Sequence, residues 1–370
     1  MMVSVPNMRP SIINPESRAV FAHSDTVCTV GEVICAAFFL GEAQPLWEEL
    51  RLSVEAQTRA EEQELEADAD ALQSLSEEFR YKRDLITTEE TEQWLEARDL
   101  TLEDFENHLF RLYWRQKAGQ QLQPGPAEIP AAALEGRELL RQELLLSGAF
   151  ERLAANLSRR VTASCADSVG AEIYAGQMQR ERQRFFQRAG LDESMLAGWL
   201  MRLERDSSWL EKMIRIESAY QQRCELLLTP ANRFQTLSVL RLPMMRFEVE
   251  TIELESYPAA REAFLCLTED GVPMANLAKD ARYPYHRSEC LLGDLPEALQ
   301  QAFLGAAVGA VLEPWDRQGG FQLYRIVNKT EPSLEDSRVR DRVDRQILDS
   351  CFSDLDAKMI RWSLKEARAG

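Results

Sequence analysis

The sequence predicts a mainly α protein that carries one small α+β domain, with a helical frame closed by a C-terminal helix. Three observations predict this class. Apolar residues recur at helical spacing through most of the chain. A run late in the sequence, Phe247 to Leu254, alternates apolar and polar residues as strands do, and a second, Gly319 to Val327, is strand-like. Between those runs lie helical patterns and a stretch rich in Tyr, Pro, His and Ser, so the strands belong to one mixed island.

Taken in order, residues 1–44 read as an irregular arm, up to about residue 25, followed by a short strand or turn within Asp25 to Ile34 that enters a first helix. Thr29 is placed to cap that helix, with Glu32 three residues on completing a capping box. A second segment, 45–123, is helical. Leu46, Trp47, Leu50 and Val54, then Leu65, Leu72, Leu75 and Phe79, fall at helical spacings. The acidic run Glu61 to Asp70 reads as the solvated face of that helix. Thr87 or Thr88 can cap a helix whose apolar side is Trp94-Leu95 and which ends near Asp99. Thr101 opens another, with Phe105, Leu109, Leu112 and Tyr113 on its apolar face. Gln120 to Pro130 holds three prolines and a glycine and reads as a linker.

The segment 131–242 repeats the scheme in outline. Leu46 to Ser53 matches Leu140 to Ser147, 94 residues later, and Trp94-Leu95 matches Phe185-Phe186, 91 residues later. A duplication and the ordinary likeness of helical sequences both account for this. Helix runs on to Leu228, where Thr229-Pro230 stops it, and 231–245 reads as transitional. The mixed domain occupies 246–330. Within it, Tyr257 to Gly271 and Val272 to Asp280 read as helices, Arg282 to Cys290 as a loop, and Leu295 to Phe303 as a third helix. The segment 333–370 reads as one C-terminal helix, opened by Ser333 with Asp336. Its stripe, Val339, Val343, Ile347, Leu348, Phe352, Leu355 and Ile360, must be buried, and the N-terminal helices are the nearest surface.

Composition narrows the function. A chain of 370 residues has room for two or three cores. Its net charge of −18 argues against a nucleic-acid partner, which needs a basic face. Seven cysteines are scattered singly with no CxxC, and the three histidines do not pair with them at ligand spacing. That pattern predicts a reducing compartment and no metal site. The N-terminus lacks the basic start and apolar run of a signal peptide, and the apolar stretch Val27 to Leu40 is too short to span a bilayer, which takes about 20 residues. The expectation is a cytoplasmic protein without membrane insertion. No GxGxxG, P-loop, GxSxG or HExxH occurs, so no cofactor is expected. Glu248, Glu250 and Glu253 read as the solvated face of the first strand, and Trp94, Tyr113, Trp114, Trp199 and Trp209 as frame core.

One resemblance is carried by the order of short motifs in the mixed domain: Leu277-Ala278-Lys279-Asp280, Leu292-Gly293-Asp294-Leu295-Pro296, Ala302, Gly309, Pro314 and Gly320-Phe321. Over some 80 residues this order resembles the parvulin (PpiC-like) peptidyl-prolyl isomerase domain, with Ile326 where that pattern shows a valine. The whole layout resembles the SurA/PrsA-type foldases, in which such a domain is inserted in a helical chaperone frame. The resemblance implies a proline pocket around Leu295, Leu299 and Phe303. It also implies a histidine on the first and on the last strand. Here the first strand reads Arg246-Phe247-Glu248-Val249, the last-strand position is Gln322, and Cys290-Leu291 stands where a Gly-Gly is expected. His286 lies in the segment read as a loop. Phe321 and Tyr324 should point to opposite faces of the last strand.

The expected peptide-binding set is therefore Phe247, Leu295, Leu299, Phe303, Gln322 and Tyr324, with no catalytic residue beyond Gln322 as a candidate hydrogen-bond donor. The expected function is a chaperone that binds a peptide or unfolded protein client, a precursor peptide among the options, with weak or no isomerase activity. The alternatives are an active isomerase with a variant pocket, and a helical scaffold or accessory subunit of a peptide maturation or export complex.

Overall fold

The computed structural model describes residues 14–24, 26–118, 134–165, 175–317 and 319–363. The linker Gln120 to Pro130 lies outside the described residues. After a 3-10 turn at Pro15–Ser17 come β1 (Ala19–His23), where an irregular arm was expected, and β2 (Thr26–Thr29), which enters α1 as a short strand. The strand signal is weak because β1 has only five residues and its second partner lies at the far end of the chain. Helix α1 (Val30–Phe39) starts on the expected Thr29–Glu32 capping box. Helices α2 (Ala43–Glu62) and α3 (Ala69–Tyr81) follow. The acidic run is thus a break between two helices rather than the face of one. Glu64 turns left-handed at φ 51°, and Asp68 caps α3 by accepting from the Asp70 and Ala71 amides. The run is solvated either way, so hydrophobicity alone could not separate the two readings.

Capping boxes Thr87–Glu90 and Thr101–Asp104 open α4 (Thr88–Glu96) and α5 (Leu102–Lys117). Next are α6 (Leu134–Ser147), α7 (Ala149–Cys165), α8 (Ala175–Ala189), α9 (Glu193–Arg202) and α10 (Ser207–Leu227). Residues 231–240, expected to be transitional, complete helix α11 (Pro230–Leu240); Thr229 caps it and Pro230 takes the first position, where its missing N–H costs nothing. Then come β3 (Arg246–Leu254), α12 (Tyr257–Thr268), α13 (Met274–Ala281), β4 (Tyr285–Leu291), a 3-10 turn at Leu292–Asp294, α14 (Glu297–Gly305), β5 (Trp315–Arg317) and β6 (Gly320–Thr330). Helix α15 (Ser337–Met359) is capped by Asp336, whose Oδ1 accepts from the Arg338 amide at 2.9 Å. It gives way to β7 (Ile360–Trp362), where the sequence reading continued the helix.

The described chain divides into two compact units, 1–223 with 352–370, and 224–351. In the first, α1 is buried on nearly every side and its Phe39 stacks on Phe185 of α8 at 5.2 Å. Leu140, Leu144, Leu146 and Phe150 of α6 and α7 join that core. Trp94, Tyr113 and Trp114 are buried as expected, and Trp199 and Trp209 pack against the core partly exposed. A three-stranded antiparallel sheet, β2-β1-β7, pairs Phe21 with Trp362. The two matched segments share a local turn: Asp99 and Gly190 both take positive φ, 53° and 61°, and Thr101 and Asp192 cap the helices that follow.

The second unit is built on a four-stranded antiparallel sheet in the order β4-β3-β6-β5. Alternation along the two central strands makes two cores. Ile252, Leu254 and Leu323 meet α12 and α13 on one face; Phe247, Val249 and Ile326 meet α14 on the other. The segment read as a loop, 282–290, contains strand β4, paired with β3 from Tyr285↔Ile252 to Leu291↔Arg246. Residues 286–289 are exposed on both faces, so no period-two pattern of hydrophobicity marks the strand. In this unit the α15 stripe finds its cover on α11: Val339 and Val343 pack with Met244, Leu237 and Leu240. Farther along the helix, Phe352 meets Tyr220 in the first unit, at 5.2 Å between rings.

Candidate functional site

The candidate residues converge where β3 and β6 run side by side under α14. The register sets Val249 against Ile326, Thr251 against Tyr324 and Glu253 against Gln322, with an irregularity between Glu248 and Val249. Pro296 precedes α14, which turns Leu299 and Phe303 onto this face. Phe303 meets Phe247 edge-on at 5.3 Å and Tyr324 at 5.5 Å, the offset geometry aromatic rings prefer. Lys329 closes the far end. Its Nζ donates to the Phe303 and Leu304 carbonyls, at 2.8 and 3.0 Å, so a cation satisfies the last turn of α14.

The structure brings together Phe247, Leu295, Leu299, Phe303 and Tyr324 in one apolar cluster. Phe247 and Phe303 are 0 % exposed and Leu299 is 3 % exposed; Leu295 and Tyr324 are half-buried. The cluster is packed core in this conformation. Phe321 does face the opposite side of β6 from Tyr324, against Tyr257 of α12 at 5.6 Å.

Gln322, buried at 6 % exposure, is held at both ends of its amide. Nε2 donates to Glu253 Oε1 at 3.0 Å, and Oε1 accepts from the Tyr324 hydroxyl at 2.5 Å. Burial pushes the Tyr324 hydroxyl above its ordinary pKa of 10, opposed by the charge of Arg317, so it is a protonated donor at neutral pH. Arg317 lies 3.9 Å from Glu253 at the end of this polar chain. Neither β3 nor β6 carries a histidine. His286 sits on β4 opposite Thr251, exposed.

Beside Gln322 opens a cavity of about 660 Å³ at one end of the sheet. Leu254, Ala259, Tyr283, Pro284 and Phe321 supply its apolar wall, and Glu253, Arg282, Arg317 and Gln322 its polar rim. Of the expected set, only Gln322 lines it. The cavity's other residues come from three separate chain segments, and nothing in their local patterns announces that they meet. The strand acids also differ from their solvated reading. Glu250 accepts from the Tyr285 hydroxyl at 2.9 Å and from Arg325 at 3.0 Å, Glu248 pairs with Arg287 at 2.7 Å, and Glu253 holds Gln322. Cross-strand partners on β4 and β6 supply the donors.

The chain matches no protein-family model and no curated protein. Among solved structures it is similar to the peptidylprolyl isomerase PrsA of Bacillus cereus, at 12% identity over 63% of this chain and 91% of that one, with a TM-score of 0.36. It is similar to the foldase protein PrsA of Streptococcus pneumoniae at 13% identity, over 67% and 98% of the two chains, with a TM-score of 0.25. A SurA-like chaperone of Campylobacter jejuni is similar at 9% identity, over 60% and 87%, with a TM-score of 0.21. These three solved structures are thus two PrsA proteins and a SurA-like chaperone, each at most 13% identical to this chain.

Proposed function

We propose that the chain is a chaperone that holds an extended peptide or unfolded protein client and has weak or no prolyl isomerase activity. The state of Gln322 carries this reading. Twisting an X-Pro bond crosses a barrier of about 20 kcal/mol, and lowering it takes donors already aimed at the twisting amide. Gln322 spends an N–H on Glu253 and its carbonyl on Tyr324, and the aromatic cluster behind it is closed. The neighbouring cavity of about 660 Å³ lies within the range of about 300–1,000 Å³ usual for ligand pockets. Its lining is mainly polar, suited to the client's backbone, with Tyr283, Pro284 and Phe321 as apolar contacts for client side chains. The client is a polypeptide, a precursor peptide being one form, and the setting is a reducing one such as the cytoplasm, which suits cysteines scattered singly with no CxxC.

The test is binding of a fluorescently labelled unfolded peptide, followed by anisotropy, beside a proline-peptide isomerisation assay. The expected result is saturable binding that Phe321→Ala weakens about tenfold, the loss typical of an anchoring aromatic, with isomerisation near the uncatalysed rate. Turnover at the level of an active parvulin overturns the catalytic part. Absence of any peptide affinity overturns the holding part; a stable stoichiometric complex without such affinity would instead mark an accessory subunit of a maturation or export assembly.

A further inference from the structure

Strand β4 is an open edge. It is seven residues long, and among the described residues its backbone pairs with β3 alone. The opposite edge, β5, has only three residues. A long exposed edge is a template for another strand, and proteins usually block it with charge. The charges on β4 do something more selective.

We propose that β4 pairs antiparallel with β4 of a second copy of this chain, about a two-fold axis through Ser288, joining two four-stranded sheets into one. A two-fold axis perpendicular to the sheet keeps the faces of both copies aligned, so paired residues must have the same parity. Three registers remain near the centre of the strand. Centred on Arg287, the pairing sets Arg287 against Arg287. Centred on Glu289, it sets Glu289 against Glu289. Centred on Ser288, it sets Arg287 against Glu289 twice, Tyr285 against Leu291 twice, His286 against Cys290 twice, and Ser288 against itself. Directly opposed residues have Cβ atoms about 4.5–5.5 Å apart, where opposite charges attract and like charges repel.

The single chain leaves a reason for the second copy's arginine. Glu289 lies directly across from Glu248, a like-charge pair in the ladder. Arg287 answers Glu248 at 2.7 Å, whereas among the described residues Glu289 has only Arg246, at 3.7 Å, and its side chain is 51% exposed. A second Arg287 arriving from the edge would stand beside the less satisfied carboxylate. The proposal is independent of the chaperone reading.

Seven residues a side make a small interface, so the dimer is expected to dissociate on dilution. The experiment is sedimentation equilibrium of the full chain from about 1 to about 200 µM, a span suited to a small transient interface. The wild type is expected to rise from one chain mass toward two, and less so in high salt. Arg287→Glu and Glu289→Lys are each expected to remain monomeric, with circular dichroism confirming the fold. The double variant Arg287→Glu/Glu289→Lys restores opposite charges and is expected to dimerise. Mixing the two single variants should give a heterodimer, because every opposed pair is then complementary. A wild type that stays monomeric to the highest concentration overturns the proposal, including the case in which β4 takes an extended peptide instead. So do single reversals that dimerise like the wild type, or a folded double variant that does not associate.

Discussion

Glu143 of α6 is expected to be worth several kcal/mol to the first unit, and Glu143→Gln isolates why. Its carboxylate bridges two buried groups of α5: Oε1 lies 2.9 Å from His108 Nδ1, and Oε2 accepts from Arg111 Nη2 at 2.9 Å and Nε at 3.3 Å. His108 and Arg111 are 2 % and 5 % exposed. Removing one partner of a buried ion pair costs about 3–5 kcal/mol because the other charge is stranded. Glutamine keeps one acceptor, and the Glu143 side chain is itself 17% exposed, so the lower end, about 3 kcal/mol, applies. In a unit of this size that lowers Tm by about 6–12 °C. Differential scanning calorimetry at neutral pH is the assay. Adding Arg111→Met to the variant should recover part of the loss, since the Arg111 cation is then no longer stranded.

The pH dependence has a definite sign. Burial raises the Glu143 pKa, but hydrogen bonding and charge from His108 and Arg111 outweigh it and hold the group below its ordinary 4.5. A depressed carboxylate stabilises the fold above its unfolded pKa, and that stability is lost as pH falls through the folded value. The gap between wild type and variant should close in the acid range as pH falls below 4.5. A Tm change of under about 1 °C at neutral pH, less than about half a kcal/mol here, would refute the reasoning.

Four further outcomes are expected. Phe303→Ala opens a hole under Phe247 and Tyr324 and should cost the second unit about 3–5 kcal/mol in urea unfolding. Gly320→Ala would set a Cβ 2.7 Å from the Leu254 carbonyl oxygen, so β3 and β6 must move apart, at about 1–3 kcal/mol in the same measurement. Thr29→Ala removes the capping box of α1 and should cost about 1 kcal/mol, read as a fall in Tm of the first unit. Burial, aided by Glu32 for Cys28 and by Asp294 for Cys290, pushes these thiols up to about 12 and about 11. Both should resist iodoacetamide at neutral pH in the folded protein and react in denaturant, as mass spectrometry can count.

The features legible in the sequence are those whose physics is local. Thr29, Thr87 and Thr101 cap where their side chains and the residues just after them said they would, whereas Thr229, read as a stop, caps α11. Strand β3 shows because its buried residues alternate, at Phe247, Val249 and Thr251 and again at Ile252 and Leu254. The features that were misread depend on distant partners. Strand β1 needs β7, across most of the chain, and β4 has too little burial to show a period. The acidic stretch hid a helix break because it is solvated in either conformation.

The same division holds at the site. Sequence alone determined the residue types on β3 and β6: no histidine on either strand, Gln322 near the start of the last one, and an apolar set on α14. Tertiary structure decided what those residues can do. The β3–β6 register puts Glu253 opposite Gln322, and the amide is thereby occupied. The fit of Phe303 between Phe247 and Tyr324 turns an expected pocket into packed core, while the open space falls beside it, between segments far apart in sequence. Register and packing arise from contacts between distant residues, and no stretch of sequence carries such contacts by itself.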